Sequence, residues 1–410
     1  MNAADVLIIG AGPAGAVASA LLTAAGRSVI VLEKQQFPRF SIGESLLPHC
    51  MRFIEMAGMM QPLVDAGYQH KNGAMFVRNG QYCAFDFRDK FSPGWGTTYQ
   101  VVRADFDQLL AREAQRLGAD VRYRQEILDV EFADGRVQLN AQAADGERSR
   151  YEGRFLLDAS GFGRVLPRLL NLDRPSRFPV RRSINTHVVD RIADPNYDRN
   201  KILIGVHPEH HDVWYWLIPF CAGRSSIGVV ARDSFFDGLP RDPLTRIRRL
   251  IDQEPALAAL LQDAVYDTQV REISGYAADV SSLWGPGFAL LGNAGEFLDP
   301  VFSSGVTIAM KSASLAAAVL NRQFDGEAVD WEADYAVPLR LGVDTFRAFV
   351  EAWYDGRFQD IVFSKRQQPD VKRMIASILA GYAWDEANPY VEQPRRRLDV
   401  LAKVCRAQAE

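Results

Sequence analysis

A strand, turn, helix and strand pattern near the start of the chain constrains its fold more than any other feature. Segment 5–34 reads DVLIIGAGPAGAVASALLTAAGRSVIVLEK, with apolar runs on both sides of a glycine-rich turn. Such runs are typical of buried parallel strands, and the alanine-rich stretch after the turn has the composition of a helix. Gly10 permits a tight turn, Gly12 lets a pyrophosphate approach the backbone, and Gly15 lets helix and strand pack closely. The pattern predicts a dinucleotide-binding unit.

Polar groups around this unit complete the predicted nucleotide site. The first turn of a helix offers free N–H groups and the positive end of its dipole to phosphates. Glu33 closes the second strand, where a carboxylate can accept hydrogen bonds from ribose hydroxyls. The predicted dinucleotide-binding residues of this unit are Gly10, Gly12, Pro13, Ala14, Gly15, Glu33 and Lys34.

The 410 residues are too many for one ordinary core and predict two or three lobes, and a hydrophobic content of 48% is ample to build them. The net charge of −4 and the pI near 6.0 predict no attraction to nucleic acid or to an anionic membrane surface. Cys50, Cys83, Cys221 and Cys405 form no CxxC pair, so we expect reduced thiols and neither a metal site nor a disulfide framework. No apolar run is long enough to span a bilayer, and we expect a cytoplasmic protein.

The periodicity of the sequence changes along the chain and divides it into interleaved lobes. Aromatic-rich alternation, with Asn79-Gly80 as a hairpin turn, predicts antiparallel strands. VVRADFDQLLAREAQRLG, from position 101, has helical spacing and closes at Gly118. The predicted fold class is α/β, with a Rossmann-type lobe over 1–70, 98–175 and 270–322, an antiparallel β-sheet lobe over 71–97 and 176–269, and a C-terminal helical lobe over 323–410.

Two further segments carry unusual residues. VWYWLIP, at 213–219, places Trp214 and Trp216 on one face of a predicted strand, where they either fill the core or form the wall of a pocket. GNAGEFLDPVFSSG, at 292–305, joins a buried strand to a helix of small residues that begins at about Ser304. The first N–H groups of that helix suit a small anion, and the serines serve equally well as helix caps.

Together these motifs resemble the flavin-dependent halogenases, and within them the branch that acts on phenols and pyrroles. WYWLIP matches the W-x-W-x-I-P motif of the family at every specified position, and FLDPVFSSG at 297–305 fits its F-x-x-P-x-x-S-x-G loop. GAGPAG with Glu33 is similar to the FAD motif of the family, and FPRFSIGESLLP to its second flavin loop. VVRADFDQLL is similar to the segment whose arginine contacts the cofactor. The likeness covers positions 6 to about 354.

The resemblance implies roles for residues in each motif. FAD would be held by the nucleotide unit and by Ser41, Ile42, Gly43, Glu44, Ser45, Arg103, Asp158, Asn293, Asp299, Gly305 and Val306. Chloride or bromide would lie near Pro300, Ser303, Ser304 and Gly305, and the passage to the substrate would be lined by Trp214, Trp216, Ile218, Pro219 and Phe302. Lys71, which opens the strand KNGAMF, would be the catalytic lysine, whereas composition alone makes it a surface residue.

The implied reaction uses FADH2 from a separate flavin reductase, together with dioxygen and halide. A flavin C4a-hydroperoxide would oxidise chloride or bromide to hypohalous acid, and Lys71 would deliver the halogen to a phenol or pyrrole, free or tethered to a carrier protein, in secondary-metabolite biosynthesis. Phe302 stands where tryptophan halogenases carry a glutamate, which argues against free tryptophan as substrate. Asn293 stands where related flavoproteins have aspartate, so an amide or Asp299 would contact the ribityl chain.

Three other functions share parts of this pattern. An FAD-dependent aromatic hydroxylase would oxygenate the ring directly and usually needs a nicotinamide site, for which no second glycine motif is present. A flavin-dependent prenyl reductase shares the Rossmann lobe and the strand end DASG at 158–161, and a non-catalytic flavin-binding scaffold would only dock a partner. Basic clusters at 365–373 and 395–406 are either solvated faces or a docking surface for an acidic partner.

Overall fold

The computed structural model describes residues 2–408. In it, the glycine-rich segment near the start of the chain forms the predicted strand, turn and helix. The first strand ends at Gly10, whose φ of +94° is one that glycine adopts at little cost. A Cβ at Gly15 would lie 1.9 Å from the carbonyl oxygen of Gly10, so only glycine lets the helix start this close to the strand. Met1, Ala409 and Glu410, at the outer ends of the first and last predicted lobes, lie outside the described residues.

Strands and helices are interspersed as far as Leu290, and helices make up the last part of the chain. The strands are β1 (Ala3–Ile9), β2 (Val29–Glu33), β3 (Gln69–Lys71), β4 (Gly73–Arg78), β5 (Gln81–Asp86), β6 (Thr98–Gln100), β7 (Asp120–Tyr123), β8 (Gln125–Ala133), β9 (Arg136–Ala143), β10 (Arg148–Asp158), β11 (Asp173–Arg174), β12 (Arg182–Val189), β13 (Lys201–Val206), β14 (Trp214–Pro219), β15 (Arg224–Ala231), β16 (Arg271–Ser274), β17 (Asp279–Val280), β18 (Trp284–Gly285) and β19 (Phe288–Leu290). The helices are α1 (Pro13–Ala24), α2 (His49–Met56), α3 (Met60–Asp65), α4 (Arg103–Arg116), α5 (Val165–Leu169), α6 (Pro243–Ile251), α7 (Pro255–Leu260), α8 (Ser304–Phe324), α9 (Val337–Tyr354), α10 (Arg357–Val362), α11 (Pro369–Leu379), α12 (Pro389–Glu392) and α13 (Pro394–Ala407).

The first sheet is built around β1 and has the order β18-β19-β10-β1-β2-β7. Strands β19, β10, β1, β2 and β7 run parallel, and the β8–β9 hairpin continues from β10. Val6, Leu7 and Ile8 have no exposed surface, as expected for parallel strands that are covered on both faces. Helix α1 packs against α8 and α4 on one face of this sheet. This is the predicted Rossmann-type arrangement.

The second sheet has the order β16-β12-β15-β14-β13-β4-β5, and every neighbouring pair except β13–β4 is antiparallel. The motif WYWLIP forms β14 at the centre of this sheet. Helices α8 to α13 form the C-terminal part of the fold, in which α9 packs on α8, α10, α12 and α13. The predicted fold class is confirmed: a mixed α/β protein with a parallel sheet, a largely antiparallel sheet and a helical C-terminal region.

Local signals in the sequence correspond to the elements that form. The Asn79-Gly80 turn joins β4 to β5 with φ of +49° and +76°, as a type I′ hairpin turn requires. Helix α4 ends at Arg116, two residues before Gly118. Helix α8 begins at Ser304, as predicted.

Two segments lie in places that the interleaved lobes did not lead us to expect. Lys71 ends β3, which pairs with β6 in a separate two-stranded ribbon and not with the second sheet. Strand β16 falls in the segment assigned to the FAD-binding lobe but pairs with β12 of the second sheet. The lobe boundaries remain a prediction. Among residues 2–408, no helix combines the length and apolar character needed to cross a membrane.

We expect Gly228→Ala to destabilise the second sheet. Gly228 lies opposite Trp216 in the β14–β15 register, and a Cβ there would lie 2.3 Å from a ring carbon of Trp216. Overpacking of this kind costs about 1–3 kcal/mol, which urea unfolding can measure. Adding Trp216→Leu should recover part of the loss, because the smaller side chain leaves room for the methyl group. A Gly228→Ala variant as stable as the wild type would contradict this packing.

Candidate active site

A cavity of about 610 Å³ lies between the ends of the parallel strands, the second sheet and the start of α8. It brings together motifs that are far apart in the sequence. The predicted site residues that line it are Gly10, Gly12, Pro13, Ala14, Glu33, Lys34, Ser41, Ile42, Gly43, Glu44, Ser45, Arg103, Asn293, Pro300, Ser303, Gly305, Val306, Trp214, Trp216 and Ile218. The predicted site residues that do not line it are Gly15, Lys71, Asp158, Pro219, Asp299, Phe302 and Ser304.

At one end of the cavity, the glycine turn faces a carboxylate. Glu33 is 7% exposed, and its oxygens accept hydrogen bonds from the backbone N–H groups of Ala11 (2.9 Å) and Gln35 (2.8 Å). These bonds fix the carboxylate at the mouth of the turn, where it keeps further lone pairs for a ligand. A Cβ at Gly12 would be 3.6 Å from the nearest side-chain atom, which is ordinary contact, so the fold itself does not require glycine there.

The loop 41–45 is held against the cavity by an ion-pair cluster. Arg103 begins α4 and donates to the carbonyl oxygen of Ile42 at 2.6 Å and to both carboxylate oxygens of Asp107 at 2.7 and 2.8 Å. Asp107 also accepts from Arg39 at 2.7 Å and is 1% exposed. The two arginines therefore compensate the buried carboxylate, as a buried charge requires.

A second link joins the same loop to the second sheet. Glu44 and the imidazole Nε2 of His187, on β12, are 2.6 Å apart. Sequence reasoning missed His187, Arg39 and Asp107. Asp107 lies four residues after Arg103 on one helix face, a spacing that predicts an ion pair between them. No sequence pattern pointed to His187.

The loop before α8 turns sharply beside the cavity. Ser303 adopts φ +57° and lets α8 begin at Ser304. The first-turn N–H groups of a helix have no acceptor within the helix, and Ser303 and Gly305 line the cavity at this point. Ser304 is 3% exposed and faces the interior. The segment presents a helix N-terminus to the cavity.

Asp158 and Asp299 shape the cavity from behind. Asp158 has no exposed surface and accepts from the backbone N–H groups of Ser160 (2.9 Å) and Leu166 (2.7 Å), so it holds the turn after β10. Asp299 accepts from the Val301 N–H at 3.1 Å, and burial raises the pKa of its carboxyl from 3.8 to about 6. Both predicted cofactor contacts are thus carboxylates that support the backbone around the cavity.

A hydrogen-bond chain connects Asp299 to Trp214, and a separate bond holds Trp216. The indole Nε1 of Trp214 donates to the hydroxyl of Tyr354 at 2.9 Å, and that hydroxyl donates to Asp299 at 2.9 Å. The guanidinium of Arg181 lies 3.3 Å from the centre of the Tyr354 ring and is buried beside it. Trp216 donates to Ser226 at 3.0 Å. Each indole N–H is satisfied, which fixes both rings at the cavity wall.

An aromatic cluster fills the space on which Phe302 packs. The ring of Phe302 makes edge contacts with Phe349, Trp353 and Phe358, at centroid distances of 6.4, 6.0 and 5.3 Å. Phe302 is therefore part of the core between the loop before α8 and the C-terminal helices. Pro219 ends β14 and is likewise outside the cavity lining.

Lys71 is fully buried immediately behind the lining of the cavity. Its Nζ donates to the hydroxyl of Ser45 at 2.6 Å and to the carbonyl oxygen of Leu46 at 2.8 Å. The ring of Phe87 lies 5.4 Å away. Burial lowers the pKa of Lys71 from 10.5 to about 7. Composition alone predicted a surface residue at this position; the side chain is instead enclosed, and Ser45 separates its amine from the cavity.

The fold and the cavity define an FAD-binding flavoprotein, and comparison with known proteins gives the family. The sequence profile of the FAD binding domain family matches residues 3–336. The chain is similar to the sulochrin halogenase gedL of Aspergillus terreus, with 29% identity over 81% of this chain and 65% of the relative. It is also similar to the 1H-pyrrole-2-carbonyl-(peptidyl-carrier protein) brominase of Pseudoalteromonas luteoviolacea, with 29% identity over 93% of this chain and 92% of the relative. The chain thus spans 65% of the length of the first of these relatives.

Two solved structures share the whole fold. A flavoprotein/dehydrogenase from Cytophaga hutchinsonii is 44% identical, with a TM-score of 0.96 and 100% of both chains covered. The flavin-dependent brominase Bmp2 is 26% identical, with a TM-score of 0.83, over 97% of this chain and 99% of that chain. This chain belongs to the FAD binding domain family, and it is similar to flavin-dependent halogenases over most of its length.

Gly12→Ala should abolish FAD binding and leave the fold intact. The added methyl group finds room in the protein, at a cost below about 1 kcal/mol at this helix N-cap, but it points to the space that a pyrophosphate would use. Isothermal titration with FAD and thermal unfolding test the two parts separately. Gly15→Ala is the matched packing control, because its methyl group would collide with Gly10 and reduce stability. Unchanged FAD affinity in Gly12→Ala would contradict the assignment.

Lys71→Met should alter the pH dependence of stability. Between pH 7 and 10.5 the unfolded chain keeps the lysine proton and the folded chain releases it, so this group makes the free energy of unfolding rise with pH in that window. Methionine cannot titrate, so any stability advantage of the variant over the wild type should be largest near pH 7 and shrink toward pH 10. Urea unfolding across this range measures the difference. A pH-independent difference would mean that Lys71 is not buried as described.

Proposed function

We propose that this protein is an FADH2-dependent halogenase that oxidises chloride or bromide and transfers the halogen to an electron-rich phenol or pyrrole. The observation that carries the proposal is the cavity of about 610 Å³, in which the glycine turn, the loop 41–45, the loop before α8 and the tryptophan strand meet. These four segments contain the motifs that resemble the halogenases. Their meeting in one space supports one shared chemistry.

The residues of the cavity fit FAD. The open position at Gly12, the carboxylate of Glu33 and the helix N-termini suit a dinucleotide, and Arg103 holds the loop 41–45 beside it. The proposed FAD-binding residues are those of the glycine turn with Glu33 and Lys34, the loop 41–45, Arg103, Asn293, Gly305 and Val306, with Asp158 and Asp299 as supports. Reduced FAD from a separate reductase would supply, with dioxygen, the oxidising equivalent.

The loop before α8 is the proposed halide site. The first-turn N–H groups of α8 and the positive end of its dipole favour a small anion, and Ser303 and Gly305 border the cavity there. Ser304 and Pro300 fix the geometry of this turn. Oxidised halide would then leave as hypohalous acid.

Lys71 is the proposed catalytic lysine, reached past Ser45. Ser45 borders the cavity and accepts a hydrogen bond from Lys71 Nζ at 2.6 Å. Its side chain therefore lies between the amine of Lys71 and the cavity. With a pKa of about 7, the amine is partly neutral at physiological pH and can bind hypohalous acid. In the transfer, the aromatic carbon gains the halogen and loses a proton, and the oxygen of hypohalous acid leaves as water. Trp214 and Trp216 would keep the substrate from the flavin.

The substrate is proposed to be a phenol or a pyrrole, free or on a carrier protein. The brominase of Pseudoalteromonas luteoviolacea is named for a pyrrole on a peptidyl-carrier protein, and its likeness covers 93% of this chain. Phe302, as a core aromatic, supplies no carboxylate at the position where tryptophan halogenases have one, which supports a ring activated by its own hydroxyl or nitrogen.

A second candidate is a flavin-dependent oxidation that needs no halide. Trp214, Trp216, Ile202 and Ile204 line the same cavity as the flavin residues, so a substrate bound there would lie beside the cofactor. The neighbour from Cytophaga hutchinsonii is named a flavoprotein/dehydrogenase. Dehydrogenation or hydroxylation at the flavin would use this single space.

Product analysis with and without halide tests the choice. The protein should be supplied with a flavin reductase, NADH, FAD and a panel of free and carrier-bound phenols and pyrroles. Mass spectrometry should find brominated product in bromide and no oxidised product when halide is omitted. Hydroxylated or dehydrogenated product at the same rate in both conditions would establish the second candidate.

Lys71→Met should bind FAD normally and lose at least about 100-fold in halogenated product, a loss of the size expected for a catalytic proton-transfer group. Consumption of reduced flavin in the presence of bromide should continue, since the oxidation lies on the other side of Ser45. Lys201→Met is the matched control: Lys201 is also buried, donates to Asn72 and Asp198, and borders no part of the cavity. Equal halogenation by the Lys71 and Lys201 variants would remove Lys71 from the mechanism.

A further inference from the structure

A second cavity, of about 450 Å³, forms an open groove between α11 and α13 in the C-terminal helical region. No step proposed above uses it. One face of each helix lines the groove, and Phe85 of β5 contributes to its lining. The residues that line it from the two helices and their flanks are Arg366, Gln367, Gln368, Val371, Lys372, Ile375, Gln393, Arg396, Arg397, Val400, Leu401, Val404, Cys405 and Gln408.

One complete face of α13 lines the groove. The lining positions 393, 396, 397, 400, 401, 404, 405 and 408 recur at the spacing of one helix face. The opposite face, with Leu398 and Ala402, is fully buried where α13 packs on α9 and α10. From α11, positions 368, 371, 372 and 375 follow the same spacing. Two helix faces therefore form the walls of a groove along which a third helix could pack.

Solvent-exposed apolar side chains line the groove. Val400 is 54% exposed and Val404 is 44% exposed, although both lie in the middle of a helix that packs well on its other face. Leu401 and Val371 are half-buried beside them, and Ile375 is buried deeper. These side chains give the floor of the groove an apolar character between its charged edges.

The groove is lined by four cations that have no ion-pair partner among residues 2–408. Arg366, Lys372, Arg396 and Arg397 line the groove and form no ion pair with any residue of the described range 2–408, and the groove lining contains no carboxylate. Their neighbours that face elsewhere are paired: Arg373 with Asp89, Arg395 with Glu351, Lys403 with Asp399 and Arg406 with Asp360. The groove is therefore locally positive in a chain of net charge −4. They are complementary to an acidic ligand.

We propose that this groove binds an acidic amphipathic helix of a partner protein. The stretch of α13 from 393 to 408 offers about 22 Å of groove at 1.5 Å per residue, which matches a helix and exceeds a small anion. The valines would receive the apolar face of the helix, and the four cations would meet carboxylates at its edges. A second copy of this chain is a poor occupant, because pairing the groove with itself would place four cations against four. The proposal does not depend on the halogenase chemistry.

The test uses the full-length protein and a designed peptide. A fluorescein-labelled helical peptide of about 15 residues, with leucines at i, i+3, i+4 and i+7 and glutamates beside them, should bind in fluorescence anisotropy. Binding should weaken as salt is raised, because the contacting charges lie at the surface. Two control peptides are needed: one with lysine in place of glutamate, and one with the leucines scattered over all faces.

Two double variants with the same change in charge locate the site. Arg396→Glu with Arg397→Glu should weaken binding by about tenfold or more, since like charges would face each other across the groove. Arg395→Glu with Lys403→Glu should leave it unchanged, because those side chains face away. Circular dichroism verifies the fold of both. The proposal is overturned if the acidic peptide does not bind, or if a control peptide binds as tightly as the acidic one. Equal loss of affinity in both double variants would also overturn it. So would binding of octanoate, a small acidic amphiphile, in the absence of peptide binding, because the groove would then be a fatty-acid site.

Discussion

The close approach of α1 to the end of β1 sets the position of everything else in the cavity. Gly15 lies against the carbonyl of Gly10, and a Cβ at Gly10 would lie 2.6 Å from the carbonyl oxygen of Ala159 at the end of β10. Two parallel strands and one helix N-terminus are thus drawn to a single point where no side chain intervenes. Asp158 holds the turn after β10, and Glu33 ends the neighbouring strand β2. The end of the cavity bordered by the glycine turn is a consequence of this packing.

Buried polar pairs then join the other parts of the fold to that point. His187 on β12 meets Glu44, and Trp214 on β14 reaches Asp299 through Tyr354 of α9. Each pair connects the second sheet or the C-terminal region to a loop that borders the cavity. A buried hydrogen bond that loses its partner leaves a desolvated polar group, so these links specify one arrangement of sheets and loops. Arg181, buried against the ring of Tyr354, adds a positive charge near Asp299.

The sequence predicted what depends on local pattern and missed what depends on distant pairing. The glycine turn, the Asn79-Gly80 hairpin and the end of α4 before Gly118 follow from neighbouring residues, and all three form as predicted. The partners of Arg39 and His187 lie 68 and 143 residues away, and no spacing rule connects them. The burial of Lys71 could not be predicted either, because a lysine at the start of a predicted strand gives no indication of the residues that enclose it.

The surroundings of Lys71 explain why its amine is suited to a neutral state. Nζ has two hydrogen-bond acceptors, the Ser45 hydroxyl and the Leu46 carbonyl. A neutral amine has two N–H groups and one lone pair, so both of its donors are satisfied; an ammonium would bring a third N–H, toward the ring of Phe87. Burial disfavours the charge, and the two acceptors hold the nitrogen in one orientation in either state. Loss of the third proton therefore leaves both hydrogen bonds that position the side chain in place.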